Sequence, residues 1–256
     1  MSSILERPAP PPDLTVPYGE LPEQVIDLHL PLIAPEPVPL IVLVHGGFWR
    51  PVYDRTHLGP MARALAAHGY VVAVPEYRRA GMAADWEGTF DDIAAIFGQV
   101  TGIAAAHGAD PGRITWAGHS AGGHLVLWAA ARPYFPMGSR WRGACDATRV
   151  VSLAGCGSLR LCAQWNLGDG AVRLLLGGGP DEVPERYAVA DPAALTPPSV
   201  PVIHVHGTDD DVVPIGMSQA FPVGRVVDLL HTGHFELIDP ESHVWPSVLG
   251  VLSPNS

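Results

Sequence analysis

The sequence predicts an α/β fold in which a mostly parallel central sheet carries helices on both faces. Three observations support this prediction. Mainly apolar runs recur along the chain, helical stretches separate them, and the 28 glycines and 27 prolines punctuate these runs instead of forming repeats. Strands that are covered on both faces require apolar runs, and a regular alternation of strand and helix is typical of a parallel sheet.

Five apolar runs are assigned to the central parallel strands, at residues 40–45, 71–77, 114–119, 150–155 and 201–206. The earlier segment EQVIDLHL, residues 23–30, alternates apolar and polar residues. This period of two predicts a half-exposed strand near a sheet edge. The segment RVVDLL, residues 225–230, is assigned to the final strand.

Helical stretches between the strands are predicted at residues 57–68, 90–107 and 121–132. A closing helix is expected within residues 240–252, broken or bent near Pro246 because a proline ring disturbs the preceding turn.

Two segments depart from this alternation. The proline-rich residues 1–16 are predicted to form a flexible N-terminal arm. Residues 156–199 are less regular and are interpreted as a small cap insertion over the carboxyl edge of the sheet, where such folds place their crevices; a mere surface elaboration is the alternative. The 256 residues are long enough for one large domain, and we expect one domain over residues 1–256.

Composition narrows the classes of partner. The chain has 26 acidic against 15 basic residues, a formal net charge of −11 and no basic stripe, so nucleic acid is not an expected partner. Cys145, Cys156 and Cys162 form no CxxC pair, which argues against a disulfide framework or a structural zinc site. The N-terminal residues contain no apolar run long enough for a signal peptide, and no later stretch approaches membrane-spanning length. We expect a soluble cytoplasmic protein without metal or cofactor, whose oligomeric state the sequence leaves open.

A candidate nucleophile lies in the stretch WAGHSAGGH, residues 116–124, where Gly118 and Gly122 flank Ser120. Short glycine patterns also occur at ordinary turns. Here, however, an apolar strand precedes the serine and a helix follows it, which is the context of a nucleophile elbow. A serine hydroxyl needs a histidine to accept its proton and a carboxylate to orient that histidine.

Loops after two later strands offer the acid and the base. GTDDDVVP follows the strand at 201–206, and HTGHFELID follows the strand at 225–230. Asp210 and His234 are the candidates, and they follow the serine in the order serine, acid, histidine. The neighbouring Asp209, Asp211 and His231 are the alternatives.

In these motifs the chain resembles the α/β-hydrolase superfamily. Its HGxxDxxVP segment carries the acid at the fifth position, which is Asp210 here, and its histidine loop has a Gly-His pair that matches Gly233 and His234. The HGGFW stretch at residues 45–49 is similar to the HGGxW loop of the kynurenine formamidase-like and related bacterial esterase branch.

The resemblance implies an oxyanion hole as well. One backbone donor would be the N–H of Ala121, next to the nucleophile, and the other would be the N–H of Gly47 or Phe48. Trp49, directly beyond this loop, and Trp165, in the insertion, are predicted to line the substrate pocket, although ordinary packing is the alternative for both.

The resemblance therefore implies a serine hydrolase that cleaves small esters or amides without a cofactor. The short insertion and the positions of Trp49 and Trp165 predict a short acyl group and an aromatic leaving group. Two other functions stay open. One is an arylformamidase acting on an N-formyl aromatic amine, and the other is a ligand-binding protein on a hydrolase scaffold that has lost its activity.

Overall fold

The computed structural model describes residues 4–34, 37–82 and 86–253, and the strands of these residues form one eight-stranded sheet. The strands are β1 (Leu14–Pro17), β2 (Val25–His29), β3 (Val38–Val44), β4 (Val71–Pro75), β5 (Ala109–His119), β6 (Arg149–Leu153), β7 (Val202–Gly207) and β8 (Arg225–Leu229). Their order across the sheet is β1-β2-β4-β3-β5-β6-β7-β8.

Six of these strands run parallel to one another, from β4 to β8 across the sheet. Strand β2 pairs antiparallel with both β1 and β4, so the antiparallel part is confined to one end of the sheet. The predicted mostly parallel sheet is confirmed, because the five apolar runs and the final segment at residues 225–230 all fall on parallel strands.

Helices cover both faces of this sheet. They are α1 (Gly59–Ala67), α2 (Trp86–Ala105), α3 (Ala121–Ala131), α4 (Leu159–Gln164), α5 (Ala171–Leu176), α6 (Pro184–Ala190), α7 (Gly216–Gln219) and α8 (Trp245–Leu252). Alternate residues of β3 divide the core: Leu40 and Val42 pack with α2 and α3, whereas Ile41 and Leu43 pack with α1 and α8. The sheet thus has an apolar layer on each side.

Helix α3 lies at the centre of the molecule. All eleven of its residues, AGGHLVLWAAA, are buried. A helix that is apolar on every side is stable only when protein surrounds it. This burial fixes the start of α3, and with it Ser120, at the carboxyl end of β5.

The N-terminal residues depart from the prediction of a flexible arm over residues 1–16. Residues 1–3 lie outside the described residues, but Ile4 to Glu6 form a short 3-10 helix and Ile4 is only 4% exposed. Strand β1 then pairs with β2. A single buried isoleucine and a four-residue strand are too short to produce a recognisable periodicity, so the prediction of a free arm was wrong for this part.

Strand β2 is more buried than its alternating pattern indicates. Asp27 and His29, expected to face solvent, are 6% and 2% exposed. The Asp27 carboxylate accepts hydrogen bonds from Thr15 Oγ1 at 2.6 Å and Arg55 Nε at 2.6 Å. The N-terminal residues and Arg55 cover this face, and partners that lie far away in sequence leave no trace in the local pattern.

The closing helix is the last departure. Helix α8 begins at Trp245 with Pro246 in its first turn, so the predicted break near Pro246 is wrong. A proline is tolerated there because the first N–H groups of a helix have no intrahelical partner. Among the residues described, no helix is long and apolar enough to cross a membrane.

Candidate active site

The turn between β5 and α3 presents Ser120 at the carboxyl edge of the sheet. Ser120 has a φ of 56° and a ψ of −118°, a conformation that non-glycine residues rarely adopt. The Ser120 N–H donates to the Leu153 carbonyl at 2.9 Å, and the Ser120 carbonyl accepts from Cys156 N–H at 3.1 Å. These bonds to the end of β6 hold the serine in its unusual conformation.

Both glycines of the motif are required because neighbouring backbone atoms leave no room for a Cβ atom. A Cβ atom at Gly118 would lie 2.2 Å from the carbonyl oxygen of Gly122, and one at Gly122 would lie 2.1 Å from the carbonyl oxygen of Val44. Any side chain at either position would collide with backbone. The spacing G-x-S-x-G therefore has a steric cause in this protein.

The two candidate partners of the serine are in direct contact. Asp210 follows β7 and His234 follows β8, and Asp210 Oδ2 lies 2.7 Å from His234 Nδ1. Since the carboxylate accepts, Nδ1 carries the proton, and Nε2 is the nitrogen left to accept a proton from a serine. Ser120 and His234 line the same cavity, and each is 3% exposed. The structure brings these three residues together from three separate loops.

The Asp210 carboxylate is held in its ionised form. Burial raises its pKa, but hydrogen bonds from His206 and His234 and from the backbone N–H of Val213 together lower the pKa below its usual value. Asp210 Oδ1 accepts from the N–H groups of Val212 and Val213 at 2.9 and 2.8 Å. The side chain is therefore fixed in orientation as well as in charge.

His206 supports this arrangement, a role that sequence reasoning did not find. Its Nε2 lies 2.7 Å from the Val213 carbonyl and 3.3 Å from Asp210 Oδ2, and its Nδ1 lies 2.7 Å from Ser218 Oγ. The only available signal was its position four residues before the acid, at the end of an apolar strand.

His119, the residue before the nucleophile, contacts the candidate base. Its Nε2 donates to the carbonyl of His234 at 3.1 Å, and the two ring centroids are 4.5 Å apart. Burial and the nearby His234 lower the pKa of His119 well below its usual value, so this ring is neutral. It holds the backbone of His234 without adding a charge to the site.

The loop after β3 has the backbone shape expected of an oxyanion loop. Gly47, Phe48 and Trp49 have φ values of 105°, 51° and 54°. Three consecutive residues in the left-handed region turn the chain sharply and point N–H groups out of the regular sheet pattern. Gly47 and Phe48 line the cavity that contains Ser120, and Ala121 is the first residue of α3, where the backbone N–H has no intrahelical partner.

A buried ionic network braces the base of this loop. His45 Nε2 lies 2.9 Å from Glu76 Oε1, and His45 Nδ1 lies 2.9 Å from the Gly46 carbonyl. Burial raises the pKa of Glu76, but His45, Arg79 and the N–H of Arg55 lower it to about 2. Both ring nitrogens of His45 therefore lie against oxygen atoms, which fixes the orientation of the ring at the start of the loop.

The cavity at Ser120 has a volume of about 180 Å³. It is lined by residues from several loops, namely Leu5, Gly47, Phe48, Tyr53, His57, His119, Ser120, Val212, His234 and Phe235. An apolar cavity of about 150 Å³ accommodates a benzene molecule, whereas drug-sized ligands need about 300 Å³ or more. The space therefore fits one small group.

Trp49 does not line this cavity, contrary to the prediction. It is fully buried, its Nε1 donates to His124 Nδ1 at 3.2 Å, and the two rings meet edge to face. The left-handed turn that presents Gly47 and Phe48 sends the next side chain into the core. Trp49 therefore supports the loop from the side opposite the site.

Trp165 is also absent from the cavity wall. Its side chain is 37% exposed and lies beside Gly216, where an added Cβ would be 3.5 Å from the indole. The second tryptophan prediction was therefore wrong as well, because the insertion places this residue beside α7.

The predicted cap insertion, residues 156–199, contains helices α4, α5 and α6, but none of its residues lines the Ser120 cavity. It packs against the oxyanion loop instead. A Cβ atom at Gly168 would lie 2.7 Å from the Phe48 ring, and Arg50 Nη2 donates to the Gly168 carbonyl at 2.5 Å. The insertion thus packs against Phe48 and does not cover the cavity.

In the part of the chain that the structure describes, no group of three or more His, Cys, Asp or Glu side chains could hold a metal ion. His204, which shares a strand face with His206, has its Nε2 3.1 Å from the Val223 carbonyl.

Sequence comparison finds one family model and several known proteins that match parts of this chain. The BD-FAE family model matches residues 26–223. A probable isoprenylcysteine alpha-carbonyl methylesterase from Oryza sativa subsp. japonica is 24% identical over 221 residues, covering 80% of this chain and 51% of the relative. A kynurenine formamidase from Salmo salar is 31% identical over 114 residues, covering 44% of this chain and 36% of the relative. The chain thus matches about half or less of the length of these relatives.

A solved structure confirms the fold. A truncated carbohydrate esterase from gut microbiota superposes with a TM-score of 0.77 at 19% identity, covering 98% of each chain. The architecture is therefore the α/β-hydrolase fold, as predicted from the motifs.

Proposed function

Since the chain belongs to the BD-FAE family, we propose that it is a serine hydrolase that cleaves small carboxylic esters through an acyl-enzyme. The observation that carries the proposal is the contact of Asp210 with His234 at 2.7 Å, beside a cavity that both His234 and Ser120 line. The names of esterases and of a formamidase among the relatives support the same chemistry.

The reaction follows from the positions of these groups. Ser120 Oγ attacks the carbonyl carbon while its proton passes to His234 Nε2, and the oxygen that becomes negative lies against the N–H groups of Ala121 and of Gly47 or Phe48. Collapse of this intermediate breaks the bond to the leaving group, which takes the proton from His234. Water, activated by the same histidine, then releases the acid and restores the serine.

The surroundings of Asp210 argue against a ligand-binding protein on an inactive scaffold. Such a protein has no need for an ionised Asp210 that is fixed by two backbone N–H groups and two histidines. A buried charge is costly unless its partners are all in place, so this arrangement favours a catalytic role.

The small cavity predicts the acyl preference. With a fixed aryl leaving group, we expect kcat/KM to peak between acetyl and butyryl esters and to fall for longer chains. Each methylene that finds an apolar wall is worth about 0.8 kcal/mol, or roughly fourfold, and a cavity of about 180 Å³ has little wall left after a short chain. The measurement is a series of aryl esters from acetyl to decanoyl. A continuous rise to decanoyl would contradict the proposal and indicate a lipid substrate.

His57 gives a specific reason to keep arylformamidase as the second candidate. Its Nδ1 lies 2.6 Å from the Asp54 carbonyl and must therefore donate. Burial and the nearby His45 lower the pKa of His57 to about 4, so at neutral pH its Nε2 is an unprotonated acceptor on a residue that lines the cavity. A formanilide has an N–H in its leaving group that can donate to such an acceptor, whereas an ester has none.

Replacing His57 with phenylalanine tests this second candidate. If His57 accepts from the leaving group, H57F should lower kcat/KM for formanilide about fivefold more than for phenyl formate, since one neutral hydrogen bond is worth about 1 kcal/mol. The two substrates differ only in N–H against O, which makes phenyl formate the matched control. Equal losses on both substrates would remove the argument for formamide hydrolysis.

The proposal includes a cytoplasmic location and a small-molecule partner. The three free cysteines among the described residues support the location, and the acidic composition favours a small-molecule partner over a nucleic acid.

A further inference from the structure

We infer that the N-terminal segment, Ile4 to Arg7, forms one wall of the substrate cavity and that Leu5 limits the size of the substrate group bound there. This inference rests on the proposed hydrolase function and specifies its substrate. The first observation is that Leu5 lines the cavity together with Ser120 and His234, although more than a hundred residues separate Leu5 from either of them.

The segment is anchored on both sides of Leu5. On one side, Ile4 is 4% exposed and belongs to the apolar cluster that contains Leu237 and Ile238. On the other side, both terminal nitrogens of Arg7 contact the Asp239 carboxylate, at 2.7 and 2.8 Å. A bidentate guanidinium–carboxylate pair fixes orientation as well as distance. These contacts on both sides hold Leu5 at a fixed position in the cavity wall.

The anchors attach this segment to the turn that carries the candidate base. His234 is followed by the 3-10 helix Phe235–Ile238, and Asp239 ends that helix. Arg7 also lies 3.3 Å from Glu241 in the same stretch. The wall that Leu5 provides and the histidine that takes the serine proton therefore belong to one packed unit, so the distance between wall and reacting atoms is fixed.

The chemistry of the wall defines the group that it meets. Leu5 lies in the same apolar cluster as Phe235, which also lines the cavity. An uncharged aliphatic or small aromatic group is favoured against these two side chains, and a charged group is excluded there by its desolvation cost. A leucine side chain leaves room for a short group only, because the cavity volume is about 180 Å³ with Leu5 in place.

The test is a pair of substitutions with opposite expected effects. L5A removes three carbon atoms from the wall, whereas L5W adds a bulky ring. Each variant is assayed with two ester series: one varies the acyl chain with a fixed p-nitrophenyl leaving group, and the other varies the alcohol with a fixed acetyl group. In one of these series we expect L5A to raise kcat/KM for a six-carbon group, relative to a two-carbon group, by about fifteenfold, since two newly buried methylenes are worth roughly fourfold each.

In the same series L5W should lower that ratio. The opposite directions separate a change of cavity size from a general loss of folding, which would lower all rates together. An R7Q variant, which loses the anchor but keeps Leu5, should shift the ratio in the direction of L5A by a smaller factor.

Two variants serve as matched controls. Leu32 is 98% exposed and does not line the cavity, so L32A should keep the wild-type profile. Asp13, which also belongs to the N-terminal part of the chain, forms an ion pair with Arg63 at 3.0 Å, and neither residue lines the cavity. R63Q therefore controls for the loss of an ion pair in general.

The outcomes are distinguishable. If the wild type hydrolyses acetyl esters and both Leu5 variants keep its chain-length profile in the two series, the inference is overturned and the proposed function stands. If the wild type hydrolyses none of the esters and a fluorophosphonate does not label Ser120, the proposed function fails and the inference falls with it.

Discussion

Replacing Ser120 with alanine is expected to lower kcat for a short-chain aryl ester by a factor of about 10⁴ or more, without loss of the fold. The nucleophile, base and acid act as one unit, so removal of any part leaves only the contribution of binding and of the oxyanion hole. His234→Ala should cost a similar factor, and the double variant should be little worse than either single variant. The measurement is kcat from steady-state kinetics, with the thermal midpoint as a check on folding.

A second measurement assigns the nucleophile directly. A fluorophosphonate should label the wild type at Ser120 and should not label S120A. Ser199 is exposed and lies outside the cavity, so S199A is a matched control that should keep both labelling and turnover. Full labelling of S120A would place the reactive serine elsewhere.

Asp210→Asn should also lower kcat by about 10⁴, the loss seen when a triad aspartate is replaced and the histidine adopts the wrong tautomer. The substitution keeps the shape of the side chain, and an asparagine oxygen can still accept from the N–H groups of Val212 and Val213 at 2.9 and 2.8 Å. What it removes is the negative acceptor that faces His234 Nδ1 at 2.7 Å. The loss should therefore appear in kcat, with a small effect on the thermal midpoint.

The neighbouring aspartates are built-in controls. Asp209 and Asp211 are exposed, and the Asp209 side chain accepts from Thr208 Oγ1 at 2.9 Å. Asp209→Asn and Asp211→Asn should change kcat by less than about twofold, as exposed substitutions away from the site usually have small effects. The opposite ranking would move the acid to a neighbouring position and refute the role given to Asp210.

The fold could be predicted from local patterns because its central strands are buried on both faces and are therefore apolar throughout. The motif around Ser120 could also be predicted from local sequence, since backbone atoms close to its glycines exclude any side chain there. Asp210 and His234 follow strands, and the carboxyl ends of parallel strands meet at one edge of a sheet, so their proximity could be expected from topology.

The walls of the cavity could not be predicted in this way. Leu5, Tyr53 and His57 reach the cavity of Ser120 through tertiary packing, and nothing in their local sequence marks them. Trp49 was misplaced because adjacency in sequence to the oxyanion loop does not determine the direction of a side chain. Three successive left-handed residues change the direction in which the side chains of this loop point, and the indole lies in the core.

The burial of Asp27 and His29 was missed for a related reason. An alternating strand indicates one polar face, but whether water or another part of the chain covers that face depends on remote segments. Here the N-terminal residues and Arg55 cover it. The Asp27 carboxylate is satisfied by hydrogen bonds from Thr15 and Arg55, and a local period does not reveal such long-range partners.

The site is assembled from the turns after β3, β5, β7 and β8, which are parallel strands connected by long crossovers. During folding, helices form from local contacts, whereas parallel strands pair only after long loops have closed, and this makes such sheets slow to complete. The nucleophile, its acid, its base and the oxyanion donors therefore come within reach of one another only when the six parallel strands of the sheet have paired. Recovered turnover after refolding consequently reports a late event in folding, and helical circular dichroism should return before it.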